Sequence, residues 1–157
     1  MGVFKILVVN SIVFLSVFSF SATAHTGTVV MPGGACSSPN LQQALSGQMG
    51  QDQFGVTNNG TGSFFVVCPI PVEAGKSYAS MEYHAQFPSG SGSMACVFRA
   101  INNEETVVFH IATATNNFNN ASVDFTAISA NSRPNMTVVC PLLSGEKLQW
   151  YFVEEEL

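Results

Sequence analysis

The sequence predicts an all-β protein folded as a single antiparallel β-sandwich, of the jelly-roll or immunoglobulin-like type. Two observations predict this class. Short runs of β-branched and aromatic residues recur at a spacing of about ten residues, and Gly, Asn and Pro separate them. Charged residues make up only 10% of the chain, so Ser, Thr, Asn and Gly must cover most of the surface. Such a surface suits pleated sheet faces better than helices.

A short unit occurs twice and marks two of these strands. Val66–Ile70 has a near-copy at Val138–Leu142. Each copy reads as a β-branched strand with a cysteine near its end and then a proline, which cannot donate to a β-ladder. The first copy belongs to Ser63–Cys68, which is apolar on both faces. We therefore expect that strand to be central and covered on each side.

The amino-terminal segment predicts export. Lys5 precedes an apolar run over residues 6–20, and Ala22-Thr23-Ala24 fits a cleavage site, so residues 1–24 are predicted to be a signal peptide. Residues 25–157 would then form one secreted domain, periplasmic, extracellular or at the cell surface, without a membrane span. With four basic and ten acidic side chains, this domain would repel nucleic acid and anionic lipid.

Four cysteines lie in the predicted domain, at Cys36, Cys68, Cys96 and Cys140. In an oxidising compartment these four cysteines are predicted to form two disulfides. Spacings of 32, 28 and 44 residues are too wide for the paired cysteines of a structural zinc site. We favour Cys36–Cys68 with Cys96–Cys140, because the two repeated cysteines then have equivalent roles. The main alternative is Cys36–Cys140 with Cys68–Cys96.

The first half of the chain contains four predicted strands, in the order Thr28–Met31, Phe54–Thr57, Ser63–Cys68 and Ser77–Phe87. One or two helical turns are predicted after the first, with Ser38 as the N-cap and Pro39 as the first helical residue. Residues 47–53 are predicted to be a loop. Asn59-Gly60 predicts a hairpin turn between the second and third strands.

The second half contains five predicted strands, at Met94–Ile101, Thr106–Ala112, Ser122–Ile128, Met136–Cys140 and Lys147–Val153. Their apolar residues alternate, as expected for strands with one buried face. In the last strand, alternation predicts Leu148, Trp150 and Phe152 on one face and Gln149 and Tyr151 on the other. Residues 154–157 are predicted to be a frayed acidic tail.

The favoured functional hypothesis is a non-enzymatic binding or structural module without a cofactor. No Ser/His/Asp order or Gly-x-Ser-x-Gly turn is present. Phe118, flanked by Asn117 and Asn119, is the best candidate for contact with a glycan or a surface protein. A sugar-stacking platform could be formed by five aromatic residues, Tyr78, Tyr83, Phe118, Trp150 and Tyr151. The favoured interpretation instead places Trp150 and Tyr83 in the core and makes Phe118 a loop anchor.

The alternative hypothesis is a copper-binding or oxidative protein. Cleavage after Ala24 would make His25 the first residue, whose α-amine and imidazole suit Cu(II). His84 or His110 would supply a further nitrogen, and Tyr151 an axial oxygen. This arrangement resembles the lytic polysaccharide copper oxygenases, although the chain is short and its second histidine lies in no characteristic motif.

Three segments also resemble an uncharacterised family of small exported bacterial proteins. They are Gly55-Val56-x-Asn58, Val67-Cys68-Pro69-Ile70-Pro71 and Val139-Cys140-Pro141-Leu142. The resemblance extends over most of the predicted domain. It implies a sandwich with two disulfides and a Val-x-Cys-Pro-x-Pro strand, and it implies no activity.

Overall fold

The structure is a computed structural model that describes residues 28–40, 42, 45–88, 92–115 and 120–156. The predicted signal peptide lies outside these residues. The described chain forms ten strands, which are β1 (Thr28–Pro32), β2 (Met49–Asp52), β3 (Gly55–Asn58), β4 (Phe64–Pro69), β5 (Ser77–Gln86), β6 (Ser93–Ile101), β7 (Val107–Thr115), β8 (Asn120–Ser129), β9 (Asn135–Leu142) and β10 (Lys147–Glu156). None of the described helical segments is both long and apolar enough to cross a bilayer.

The strands form two antiparallel sheets that pack together, as predicted. One sheet has six strands in the order β2-β3-β10-β5-β8, with β1 also paired to β10. The other has four strands in the order β4-β9-β6-β7. Strands β3 to β10 have the order of a jelly roll, with β3-β10-β5-β8 in one sheet facing β4-β9-β6-β7 in the other.

Strand β10 organises the six-stranded sheet. One edge of β10 pairs with β5 from Lys147 to Glu156. The other edge pairs with β3 at Lys147 and Leu148 and with β1 from Trp150 to Glu154. The register with β5 shifts between Leu148 and Trp150, which marks a β-bulge. Gly55 lies against this bulge with a φ of 147°, and a Cβ there would fall 2.3 Å from the Leu148 carbonyl oxygen.

The core lies between the sheets and is bridged by two buried tyrosine hydroxyls. Tyr83 of β5 donates to the Met94 carbonyl and accepts the Ala114 N–H at 2.8 Å, so it reaches both β6 and β7. Tyr151 of β10 donates to the Pro69 carbonyl at 2.6 Å. These bonds satisfy polar atoms that would be costly to bury alone.

Both disulfides have the favoured pairing. Cys96 and Cys140 connect β6 to β9 within the four-stranded sheet. Cys36 follows β1 and joins Cys68 of β4, so this bridge connects the two sheets. The two copies of the repeated unit lie side by side, since β4 and β9 pair antiparallel with Cys68 opposite Val138.

The predicted hairpin at Asn59-Gly60 is wrong. β3 pairs with β2 and β10, whereas β4 pairs with β9 in the other sheet, so this turn carries the chain across the sandwich. The reason is Asn58, whose buried side chain donates to the carbonyls of Gly62 and Leu142 and accepts the Gly60 N–H. The side chain bonds both to the turn and to β9, which gives the turn its structure.

The predicted central position of the strand Ser63–Cys68 is also wrong. β4 is the outermost strand of its sheet, and the Phe65 side chain is 58% exposed. Its free edge is partly closed by Ser37, which exchanges two backbone hydrogen bonds with Val67 at 2.7 and 2.9 Å. The neighbouring disulfide holds this segment in place, which protects the edge against pairing with another chain.

Two further local predictions need correction, and a third is consistent with the structure. Residues 49–52, predicted as loop, form β2 because their backbone pairs with β3. The predicted frayed tail is strand as far as Glu156, and buried Glu155 pairs with Lys76 at 2.8 Å. At the predicted helical turn, Ser38 Oγ accepts the Asn40 N–H at 3.1 Å, as expected of the predicted N-cap, and the Ser46 N–H donates to the Gln42 carbonyl.

Candidate functional site

Four of the predicted site residues lie outside the described chain. They are His25, Asn117, Phe118 and Asn119. The segment 116–119 connects β7 to β8, and the described chain resumes at Asn120. The copper hypothesis depends on His25 and therefore stays a prediction. Among the described residues, no three His, Cys, Asp or Glu side chains come together as a group able to hold a metal ion.

The two described histidines lie in different sheets and have different surroundings. His84 of β5 is half-buried and lies in the six-stranded sheet, where its Nδ1 contacts the Asn120 Oδ1. His110 of β7 lies in the four-stranded sheet, stacked on Phe125 with a centroid separation of 4.5 Å. His110 thus contacts the rings of Phe98 and Phe125, whereas His84 stacks on the partly exposed ring of Trp150.

The bulge in β10 determines which side chains reach the outer face of the six-stranded sheet. Leu148 and Tyr151 are buried, whereas Gln149, Trp150 and Phe152 are partly exposed. Strict alternation had placed Leu148 on the same face as Trp150, and that prediction is wrong. The extra residue of the bulge shifts the alternation by one position, which turns Trp150 outward.

Three rings of this face form what we call the aromatic row, namely His84, Trp150 and Phe152. The centroids of Trp150 and Phe152 are 5.6 Å apart and their planes differ by 14°. The corresponding values for His84 and Trp150 are 5.5 Å and 16°. The three planes are therefore nearly parallel, although the residues come from two adjacent strands.

An apolar depression adjoins the aromatic row on the side of β1. It encloses about 490 Å³ and is lined by Val30, Pro32, Trp150 and Phe152. Pro32 lies opposite Trp150 and Val30 opposite Phe152 in the pairing of β1 with β10. Val30 is 61% exposed. A ligand covering the row would therefore also find an apolar surface beside it.

Hydrogen-bonding side chains border the aromatic row on its other sides. Gln149 donates to Gln86 at 3.3 Å, beyond one end of the row. Asn120, which contacts His84, also donates to Glu82 at 3.1 Å. These amides and the carboxylate are exposed or half-buried. They could exchange their mutual bonds for bonds to a polar ligand at little cost in free energy.

The titratable groups with the clearest shifts lie in the core rather than beside this row. Burial raises the pKa of Tyr83 to about 12 and that of Tyr151 to about 12. Burial also raises the pKa of Glu146, whose carboxylate accepts the Leu143 N–H at 2.8 Å in the turn before β10. All three side chains are bonded to backbone groups, so we assign them structural roles.

The outer face of the four-stranded sheet is quite different, and we call it the apolar face. Its half-buried positions include Val67, Val97 and Val139, which lie across β4, β6 and β9 in one register. At the edge strand β7, Phe109 is 63% exposed and Ile111 is 54% exposed. Arg99 is the charged side chain within this face.

Sequence reasoning found some of the site residues and missed their arrangement. The prediction that Tyr83 is a core residue is confirmed, and the prediction that Trp150 is one is wrong. Tyr78, Tyr83 and Tyr151 are core residues, whereas Trp150 faces outward. Phe152, Gln149 and Asn120 were missed. The available signal was the run Gln149 to Val153, where four large residues in succession cannot all point inward.

Comparison with models of known protein families gave no match, and comparison with curated proteins gave no significant match.

Proposed function

We propose that the protein is a secreted, non-enzymatic binding module and that the aromatic row binds a neutral glycan chain. The near-parallel arrangement of His84, Trp150 and Phe152 supports this proposal more than any other observation. Pyranose rings present apolar C–H faces that stack on aromatic side chains, and their hydroxyl groups need hydrogen-bond partners at the periphery. Apolar contact with a few placed polar groups is the general pattern of small-ligand sites.

The polar border fits the same ligand. Gln86, Gln149 and Asn120 supply both donors and acceptors, and Glu82 supplies an acceptor. A sugar hydroxyl is itself donor and acceptor, so amides can bond to it in either orientation. A purely apolar partner would leave these groups without bonds.

Secretion is supported by the predicted signal peptide and by the two disulfides, which persist in oxidising compartments. The disulfides hold the sheets, and hence the row, in a fixed geometry before a ligand arrives. Preorganisation of this kind lowers the entropic cost of binding.

Trp150 allows a direct test, because it is the single tryptophan of the chain. Neutral hexasaccharides of cellulose, xylan, mannan and chitin would be titrated while tryptophan emission is recorded. We expect a blue shift with at least one of them, because a stacked sugar excludes water from the indole. Absence of any shift with all four up to millimolar concentration would contradict the proposal.

Two variants locate the binding. Trp150→Ala should abolish binding measured by calorimetry, because truncating an aromatic anchor removes most of the contact energy. Phe109→Ala removes an exposed ring from the apolar face and should leave affinity unchanged. Loss of binding in both variants, or in neither, would be inconsistent with a site at the aromatic row.

A further inference from the structure

One cation in the described chain has no partner. Lys76 pairs with Glu155 at 2.8 Å and Lys147 with Asp52 at 3.0 Å. Arg133 donates to the carbonyls of Ala100 and Thr106 at 3.3 and 2.6 Å. Arg99, the fourth basic residue of the described segments, makes neither a hydrogen bond nor an ion pair within them.

On the side of the sheet, the neighbours of Arg99 are mostly apolar. Arg99 is half-buried in the apolar face, opposite Phe109 on one side and Thr137 on the other. Its neighbours on the same face of β6 are Val97 and Ile101. Charge-assisted hydrogen bonds are stronger in such surroundings than in water. A guanidinium with no partner there is well suited to bind an anionic group.

The surface around Arg99 forms a concave site. A depression of about 600 Å³ is lined by Arg99 together with Ile101, Asn102, Asn103, Glu105, Val107 and Asn135. The side-chain amides of Asn103 and Asn135 make no hydrogen bonds within the described residues. The site therefore offers one cation, two amides with free hydrogen-bonding capacity, one carboxylate and two aliphatic side chains.

The walls of this depression are held in place by bonds that do not involve these groups. The Asn102 Oδ1 accepts the N–H groups of Glu104 and Thr106 at 3.1 and 2.7 Å, which fixes the turn between β6 and β7. Glu105 takes a positive φ of 63° in this turn. Arg133 bonds to both β6 and the turn, and it lies two residues before Asn135. The end of β6, the turn before β7 and the residues that lead into β9 are thus fixed around Arg99.

We propose that this depression is a second glycan site, specific for the carboxylate of an acidic sugar such as a hexuronic acid. Arg99 binds the carboxylate in a bidentate manner. Asn103 and Asn135 bond to ring hydroxyls, and Ile101 and Val107 cover the apolar edge of the sugar. The Glu105 carboxylate accepts a hydrogen bond from a sugar hydroxyl. It also repels a doubly charged anion more strongly than a singly charged one, which favours a carboxylate over a phosphate group.

The site is on the opposite sheet from the aromatic row, so the proposal is independent of the proposed function. The probe is trigalacturonate, and its fully methyl-esterified form is a matched neutral control. Amide chemical shifts of the ¹⁵N-labelled full domain would be followed during titration. We expect shifts at Ile101, Asn103 and Asn135 with the acid and none there with the ester.

Two variants test the role of Arg99, and two others serve as controls. Arg99→Gln should weaken binding about tenfold or more, and Arg99→Lys should weaken it less. Lys147→Gln removes the same charge from the opposite end of the sandwich and should have no effect, and neither should Trp150→Ala. Overlaid spectra away from the substituted residue establish that each variant is folded.

Four results would overturn the proposal. The first is the absence of shifts at these amides with millimolar trigalacturonate. The second is equal binding by wild type and Arg99→Gln. The third is equal binding of the methyl ester. The fourth is equal or tighter binding of an acetylated tripeptide carboxylate or of inorganic phosphate, which would assign the depression to a different class of anion.

Discussion

The hydroxyl of Tyr83 offers the sharpest test of how the two sheets are held together. Tyr83→Phe removes one oxygen and keeps the ring. The oxygen lies within the fully buried core, where it donates to the Met94 carbonyl and accepts the Ala114 N–H. Met94 and Ala114 are themselves paired between β6 and β7, so one hydroxyl serves both strands.

The expected cost follows from the groups left behind. Both backbone partners are buried, and leaving a buried donor or acceptor unsatisfied costs about 1–3 kcal/mol. We expect a loss of about 2 kcal/mol in the free energy of unfolding, a large part of the stability of a small domain. Urea unfolding of the oxidised protein, followed by circular dichroism, measures this loss as a shift of the midpoint at constant slope.

Tyr78→Phe is the matched control. The Tyr78 hydroxyl is 3.2 Å from the Glu73 nitrogen and 3.4 Å from the Pro71 oxygen, and both contacts are only partly buried. We expect a loss of less than about 1 kcal/mol, because water can replace these contacts. If the two variants lose equal stability, or if Tyr83→Phe loses less than about 0.5 kcal/mol, the inter-sheet role of Tyr83 is refuted.

Three other perturbations have expected outcomes. Burial raises the folded pKa values of Tyr83 and Tyr151 to about 12, so the unfolded chain, with an ordinary pKa of 10, loses these protons first. The folded state should therefore lose stability as pH rises from 10 to 12, and unfolding midpoints that stay constant over that range would contradict this. Replacing both Cys96 and Cys140 by Ala should cost about 4 kcal/mol by the loop-entropy estimate, checked by chemical unfolding, and a loss below about 1 kcal/mol would show that this bridge adds little. Gly55→Ala should destabilise the domain by about 2 kcal/mol or more, since its Cβ would collide with the β10 backbone; an unchanged melting temperature would be the opposing result.

Local alternation was enough to predict the strands that supply the core. Ser77–Gln86 and Ser93–Ile101 match the predicted segments within one residue at each end, because their apolar side chains alternate without interruption. The disulfide pairing was also predicted, from the equivalence of the repeated cysteines. In the structure these cysteines lie on adjacent paired strands, which gives that equivalence a physical basis.

The features that were missed depend on long-range contacts. Asn58 bonds to Leu142, which is 84 residues away, and this contact decides that the turn crosses between the sheets. Similarly, the bulge that turns Trp150 outward lies where Gly33 and Gly55 press against the backbone of β10. Neither contact leaves a local pattern in the strand concerned. The aromatic row could therefore not be derived from alternation alone.

The resemblance motif Gly55-Val56-x-Asn58 acquires a structural explanation. Gly55 fits against the bulge, Val56 is buried, and Asn58 organises the crossover. The residues of the motif serve the fold rather than a site. Membership of the bacterial family itself stays a prediction.

The central claim is that ligand binding takes place on the aromatic row of a rigid jelly roll. The most direct measurement is a ¹⁵N and side-chain NMR map recorded with each neutral hexasaccharide in turn. We predict that the Trp150 indole N–H shifts most, together with the amides of His84 and Phe152. A map in which binding shifts other surfaces and leaves the indole unchanged would contradict the account.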